Sequence, residues 1–225
     1  MKENLLELSF SQANQWRLCR KSWCFSKVDK LGQIPSLPAI RGSRYHEAIE
    51  QGLKGEVPTE KSIVWALNLV EQTRGERQVT PEYYTEKITG QFKIRGYIDI
   101  FFGTENLLGD PTDNIVLDWK FGRMSSLYKG EPRNEYKDQL ELYAYMVNAK
   151  TCMLVFPKDQ QIFEWEATPK IGKRVYDSII EVGYEIIESG YQEKSGFDVE
   201  GTPNWTCERY CSYRDRCIHG QKPER

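Results

Sequence analysis

The sequence predicts a mixed α/β or α+β protein folded as one compact domain over its 225 residues. Three observations carry that expectation. Apolar residues recur at helical spacing through the first third of the chain. Runs rich in β-branched and aromatic residues take over between Glu82 and Lys120. A strongly helical stretch, two short strand-like runs and a long helix then follow, an order that sets helices against a sheet. This divides the chain into a helical part (1–80), a sheet-bearing core (81–195) and a cysteine-rich segment (197–220).

Leu8 to Val28 is expected to be helical, capped by Ser9 or Ser11, with Trp16, Cys19 and Trp23 on one stripe. Gly32 to Pro38 forms a loop. Ala39 to Leu53 is a second helix with Ser43 as a candidate cap, and His46 and Glu50 share a face at i and i+4. Gly55 and Pro58 end it. Lys61 to Thr73 is a third helix built around Ile63, Val64, Leu67 and Val70. Glu82 to Phe102 forms two antiparallel strands turning at Gly90, and the next strand closes near Asp118-Trp119-Lys120. The loop between, GTENLLGDPTDN, is dense in turn formers, and Tyr128 to Pro132 is a further loop. Arg133 to Ala149 is a helix with Leu140, Tyr143, Ala144 and Val147 on its apolar side. Cys152 to Phe156 and Gln161 to Ala167 are strands, and Thr168 to Gly190 is a helix ended by glycine.

Charged residues make up 28% and hydrophobic ones 39%, ordinary for a globular protein. No apolar run approaches membrane-spanning length, and MKENLLELSFSQ lacks the layout of a secretory signal, so an intracellular setting without membrane contact is expected. The formal charge of −2 excludes a globally basic surface. Any nucleic-acid contact must come from local patches. Six cysteines in a reducing compartment point to metal binding or burial rather than a disulfide framework.

Two groups of residues carry candidate chemistry. Asp99 lies in one strand, and Asp118 and Lys120 lie in the next, projecting from one face with Trp119 on the other. Carboxylates on core strands are costly unless they pair or hold a metal. A surface ion pair is the bland reading. With His46 added, an imidazole, two carboxylates and a strand carbonyl make a plausible Mn²⁺ or Mg²⁺ site, where Lys120 can orient water or neutralise phosphate charge. Gln139 and Tyr143, one turn apart on the following helix, share a face. In the tail, Cys207, Cys211 and Cys217 fall within eleven residues of irregular chain. Such thiolates tie down a segment too poor in apolar residues to fold alone. A four-iron cluster needs a fourth thiolate, for which Cys19 is the first candidate, Cys24 the second and Cys152 the third. Zinc held by the three tail cysteines and His219 remains open on spacing alone.

RGSRYHEAIE, GYID, LDWK and QLELY, in that order, resemble the motifs of the RecB-like branch of the PD-(D/E)XK nuclease superfamily. The nearest likeness is to CRISPR-associated and AddB-type exonucleases that carry an iron–sulfur cluster. The resemblance runs from about Leu8 to Cys217. It implies a restriction-endonuclease-like core, a mixed central sheet flanked by helices, with the cysteine segment stapled to the N-terminal helix. It also implies metal ligation by His46, Asp99, Asp118 and the Trp119 carbonyl, with Lys120, Gln139 and Tyr143 completing the catalytic set. Cys19, Cys207, Cys211 and Cys217 would hold a 4Fe-4S cluster. Cys19-Arg-Lys resembles the family's early cysteine helix without its proline, and the first tail gap is three residues where two is commoner. Glu86 falls where the family often has an acidic residue, with no role carried over. The implied activity is Mn²⁺- or Mg²⁺-dependent cleavage of DNA, exonucleolytic on single strands or free ends. Basic residues near the motifs, Arg41, Arg44, Arg123, Lys129, Arg133 and Lys137, are candidate phosphate contacts. No Gly-x-x-x-x-Gly-Lys-Ser/Thr occurs, so any helicase is a separate partner. Recombination, repair, phage DNA metabolism and CRISPR spacer processing in a bacterial or phage setting all fit. A nuclease-like DNA-binding or regulatory module without essential cleavage is the alternative.

Overall fold

The computed structural model describes residues 5–103, 113–122, 131–207 and 210–217. Arg123, Lys129, His219 and most of the loop that follows Gly103 lie outside the described residues. The chain divides into two compact units. The first comprises Met1–Ile40, Ile88–Ile94 and Ser178–Arg225, and the second comprises Arg41–Lys87 and Arg95–Asp177. Among the described residues no helix is long and apolar enough to cross a membrane.

In the first unit a short strand β1 (Leu6–Leu8) pairs in parallel with the start of β3 (Phe92–Gly103), Leu6 opposite Phe92 and Leu8 opposite Ile94. The helix expected over Leu8 to Val28 is two helices, α1 (Phe10–Leu18) and α2 (Arg20–Lys27). Ser9 caps α1 by accepting from the Gln12 amide. Cys19 breaks the run: at φ −164° and ψ 107° it is extended, ending one helix and opening the other. Trp16 and Trp23 still meet edge to face at 5.4 Å across the break. Helix α6 (Pro169–Glu188) contributes its second half here, and Trp16 Nε1 donates to its Glu185 at 2.9 Å. Gly183 permits that approach, because a Cβ there would overlap the Phe92 ring and sit 2.9 Å from Leu8 Cδ1.

In the second unit α3 (Leu37–Leu53) supplies residues from Arg41 onward, followed by α4 (Lys61–Arg74), β2 (Gln78–Thr89) up to Lys87, the later part of β3 from Arg95, β4 (Ile115–Trp119), α5 (Asn134–Val147), β5 (Thr151–Phe156) and β6 (Gln161–Glu166). Helix α3 begins earlier than expected, with Pro38 in its first turn and the Ser36 hydroxyl accepting from the Ala39 amide, so Ser43 is an interior residue and not a cap. The strands run β3-β4-β5-β6, with β2 also on β3. β4 is antiparallel to β3 and parallel to β5, with α5 as the crossover between the parallel pair. Every residue of β4 is buried, which fits a central strand covered on both faces. Ile115, Leu117 and Trp119 join Ile49, Ile63, Ala66, Leu69 and Val70 of α3 and α4 in one core. On α4 Ile63 and Val70 face inward as expected, together with Ala66 and Leu69, while Leu67 packs partly buried against the core and Val64 is exposed. Alternation turns Val116 and Asp118 to the opposite side of β4. The register places Ile100 opposite Leu117, so one step on Asp99 faces Asp118. A mixed sheet flanked by helices is the restriction-endonuclease-like arrangement expected.

Candidate active site

Two carboxylates facing each other across an antiparallel ladder repel, so some partner must offset their burial. The second unit brings several partners to them. Asp99 Oδ2 accepts from the Trp119 amide at 2.7 Å, and Asp99 Oδ1 lies 3.5 Å from His46 Nδ1. Lys120 extends the β4–β5 ladder by donating its amide to Val155 at 2.8 Å. Its Nζ sits 2.5 Å from Asp118 Oδ2, yet that buried oxygen receives no well-directed hydrogen bond. Burial first, and the Asp118 charge second, push Asp99 up to about 8 against the opposing pull of His46, Trp119 and Lys120. For Lys120 burial favours the neutral amine, but Asp118 and Asp99 outweigh it and raise the ammonium's pKa. Burial likewise works against charge on His46, and Glu82, Asp99 and Asp118 outweigh it, raising the imidazole.

Glu82 is the site residue that sequence reasoning missed. Its Oε1 is 3.6 Å from His46 Nδ1, and His46, Glu82 and Asp99 offer one ligand atom each within 4.8 Å of one another. It reaches the imidazole from the middle of β2, where it follows Pro81 and takes a left-handed φ of 48°. A non-glycine residue at that φ departs from extended backbone, so strand alternation no longer fixes where its side chain points. The expected strand run opened at Glu82 itself, and the sequence signal for its unusual direction was the proline just before it, which the structure places inside β2. Glu86 instead engages the Tyr84 hydroxyl. Around His46, Tyr45 stacks on Phe121 at 4.4 Å, and Phe121 meets the imidazole edge to face at 5.5 Å.

Gln139 and Tyr143 meet as their spacing predicts: the Gln139 amide donates to the Tyr143 hydroxyl at 3.2 Å. The Tyr97 backbone donates to the same oxygen, and burial pushes Tyr143 up to about 12, so its own O–H stays available to donate. The ring lies on Gly96. A Cβ at that position would overlap Tyr143 Cε1 and sit 3.0 Å from Cζ. Close approach therefore explains the glycine in Gly-x-x-Asp, and it ties that strand motif to Gln-x-x-x-Tyr on α5. Gly96→Ala is expected to cost roughly 1–3 kcal/mol of stability as the ring is displaced. Thermal melting measures this, and an unchanged midpoint would show that the ring can move without cost. Of the basic candidates, Arg41, Arg44 and Arg133 are exposed, while Lys137 is paired with Glu131 at 3.4 Å.

Every cysteine but Cys152 lies in the first unit. Cys19, Cys207, Cys211 and Cys217 all line one cavity of about 190 Å³. The extended backbone at Cys19 is where α1 and α2 part. The Asn204 amide donates to Cys207 Sγ at 3.3 Å. Burial raises Cys211, opposed by a hydrogen bond from the Tyr213 backbone and reinforced by Cys19, Cys207 and Cys217 nearby. Cys24, the second candidate, is absent from that lining: it is buried, directs its thiol to the Tyr191 carbonyl at 3.8 Å and is pushed up to about 11 by burial. Cys152 is buried within β5 and raised by burial.

A family model described as the PD-(D/E)XK nuclease superfamily matches residues 61–218. No curated protein matches the chain. Among solved structures, a putative exonuclease from Eubacterium rectale superposes with a TM-score of 0.58 at 12% identity, covering 99% of this chain and 90% of that one. The structure of SSO0001 is similar at 0.47 and 19% identity, covering 99% and 89%. An alkaline exonuclease from Laribacter hongkongensis reaches 0.42 at 17% identity, covering 83% and 93%.

Proposed function

The chain belongs to the PD-(D/E)XK nuclease superfamily, and from that premise we propose that it is a divalent-metal-dependent deoxyribonuclease, an exonuclease acting on single-stranded DNA or free DNA ends. The convergence of His46, Glu82, Asp99, Asp118 and Lys120 carries the reading. One imidazole and hard carboxylate oxygens suit Mn²⁺ or Mg²⁺, and Asp118, whose Oδ2 is 2.5 Å from the Lys120 ammonium, adds a second buried carboxylate to the cluster. His46, Asp99 and Asp118 would hold the ion, with Glu82 beside them. An extended residue turns its N–H and C=O to the same edge, so the Trp119 carbonyl faces the side on which its amide meets Asp99. A divalent cation bound there supplies Lewis-acid stabilisation and a more acidic water.

The protein's own groups do the rest. Water attacks phosphorus and releases a proton to solvent as the new P–O bond forms, and the bond to the leaving sugar oxygen breaks as that oxygen takes up a proton from solvent. Lys120 orients the water and offsets charge on the phosphoryl oxygens. Tyr143, held by Gln139, sets the adjoining wall, and the exposed Arg41, Arg44 and Arg133 would meet backbone phosphates. The four cysteines around the first unit's cavity suit a 4Fe-4S cluster. Tetrahedral zinc with bonds near 2.3 Å would draw its thiolates to roughly 3.8 Å apart, which calls for no such cavity. We take both units as parts of one cytoplasmic nuclease domain, serving recombination, repair, phage DNA metabolism or CRISPR spacer processing beside a separate helicase or other partner.

End-labelled single- and double-stranded DNA incubated with the protein and Mn²⁺ or Mg²⁺ tests the reading. Label is expected to be released by the wild-type chain and not by Lys120→Ala. Undiminished cleavage by that variant would overturn the assignment.

A further inference from the structure

Lys120 has a second neighbour that none of the motifs includes. Its Nζ lies 4.8 Å from the centroid of the Tyr136 ring. Tyr136 stands in the first turn of α5, three residues before Gln139 and seven before Tyr143, which sets all three along one face of the helix. Its side chain is half-buried, as are those of Lys120 and Gln139.

We propose that Tyr136 is a positioning residue for Lys120, using the face of its ring to hold the ammonium at the reacting centre. The inference rests on the nuclease reading above. The neighbours of that ammonium are of two kinds. Asp118 Oδ2, at 2.5 Å, draws it by charge. That carboxylate has other work at the site, so it cannot serve as a tether for Lys120 alone. The ring attracts a cation through its quadrupole and accepts no directed hydrogen bond on a lone pair. An ammonium resting on it gives up no N–H to a lone pair there, so those not turned to Asp118 stay free for water and phosphate oxygens, while its four-carbon stem is confined to few rotamers. Without the ring, the side chain still carries its charge but spends less time where the water is. The loss therefore falls on kcat, not on the binding of DNA.

The test compares wild type, Tyr136→Phe and Tyr136→Leu in Mn²⁺ on end-labelled single-stranded DNA, measuring kcat, KM and the melting midpoint. Tyr136→Leu is expected to lower kcat about tenfold with KM within about twofold of wild type. Tyr136→Phe, which keeps the ring face, should recover to within about threefold. Placing increasingly fluorinated phenylalanines at position 136 drains the ring face without changing its shape much, so kcat should fall stepwise with fluorine count even if the leucine variant folds poorly. A leucine variant with wild-type kcat would overturn the role. So would a phenylalanine variant as slow as leucine, which would assign the effect to the hydroxyl, or a rate indifferent to fluorination. No cleavage by wild type would instead refute the nuclease reading, and this role with it.

Discussion

Asp99→Asn is expected to abolish DNA cleavage while making the metal-free protein more stable at alkaline pH. Asp99 is nearly enclosed, faces Asp118 across the ladder and touches His46 at 3.5 Å. In the proposed activity it would supply a hard oxygen that an amide replaces poorly, and a loss on the order of a thousandfold or more would follow from several kcal/mol of lost charge stabilisation. In stability the sign is opposite. Burial and Asp118 raise its folded pKa to about 8, above the ordinary 3.8 of an aspartate, so the native state binds more protons than the unfolded chain between those values. Stability must then fall as pH rises through that window, with the full penalty present above about 8. Asparagine removes the penalty and can still accept the Trp119 amide. Melting curves in EDTA from pH 5 to 9 should show a falling midpoint for wild type and a flatter one for the variant. Added Mn²⁺ should raise the wild-type midpoint only, because a ligand stabilises the state that binds it. A variant that melts below wild type at pH 9 would sink this account of the site. A carboxylate pair that weakens its own fold until a cation arrives is the kind of local conflict expected at a functional site.

The site was legible in the sequence where each residue sits on an element whose period fixes its direction. Asp118 and Lys120 share a face because a strand alternates, and Gln139 meets Tyr143 because a helix repeats after four residues. Glu82 was not legible because its direction comes from a single left-handed φ after Pro81, which breaks the alternation of β2. Tyr136 lay in a helix whose apolar stripe was clear, but its partner is a lysine 16 positions earlier, and only the fold brings the two together. β1 is three residues long and becomes a strand only by pairing with Phe92 to Ile94, a non-local contact no local pattern encodes. The break at Cys19 was hidden for the converse reason. Trp16 and Trp23 sit in step across it, so the helical spacing reads through one extended residue. Gly96 shows how two motifs recognised separately become one object. The glycine of the strand exists for the tyrosine of the helix.

Cys19→Ser should have the largest effect on the first unit. Residues 201–217 contain one short 3-10 turn as their regular structure among the described residues, and Tyr213 is their buried apolar anchor. So little core cannot offset the entropy of ordering that stretch, at about 1–2 kcal/mol per residue. The proposed cluster on the four cysteines that line the cavity, where an amide donates to Cys207 and another to Cys211, would close the gap. A bound group that exists only in the folded state adds its binding energy to stability, on the order of 10 kcal/mol for structural metal sites. Protein purified without oxygen should therefore be brown, with about four irons and four sulfides per chain. Cys19→Ser should lose the colour and expose the tail to limited proteolysis. Cys24→Ser should keep both colour and resistance, since that thiol points to the Tyr191 carbonyl and lines no part of the cavity. Loss of colour in both variants would remove Cys19 from its special place. A colourless wild-type protein holding a single zinc would replace the cluster with a tetrahedral ion, and the cavity would then have to close around it.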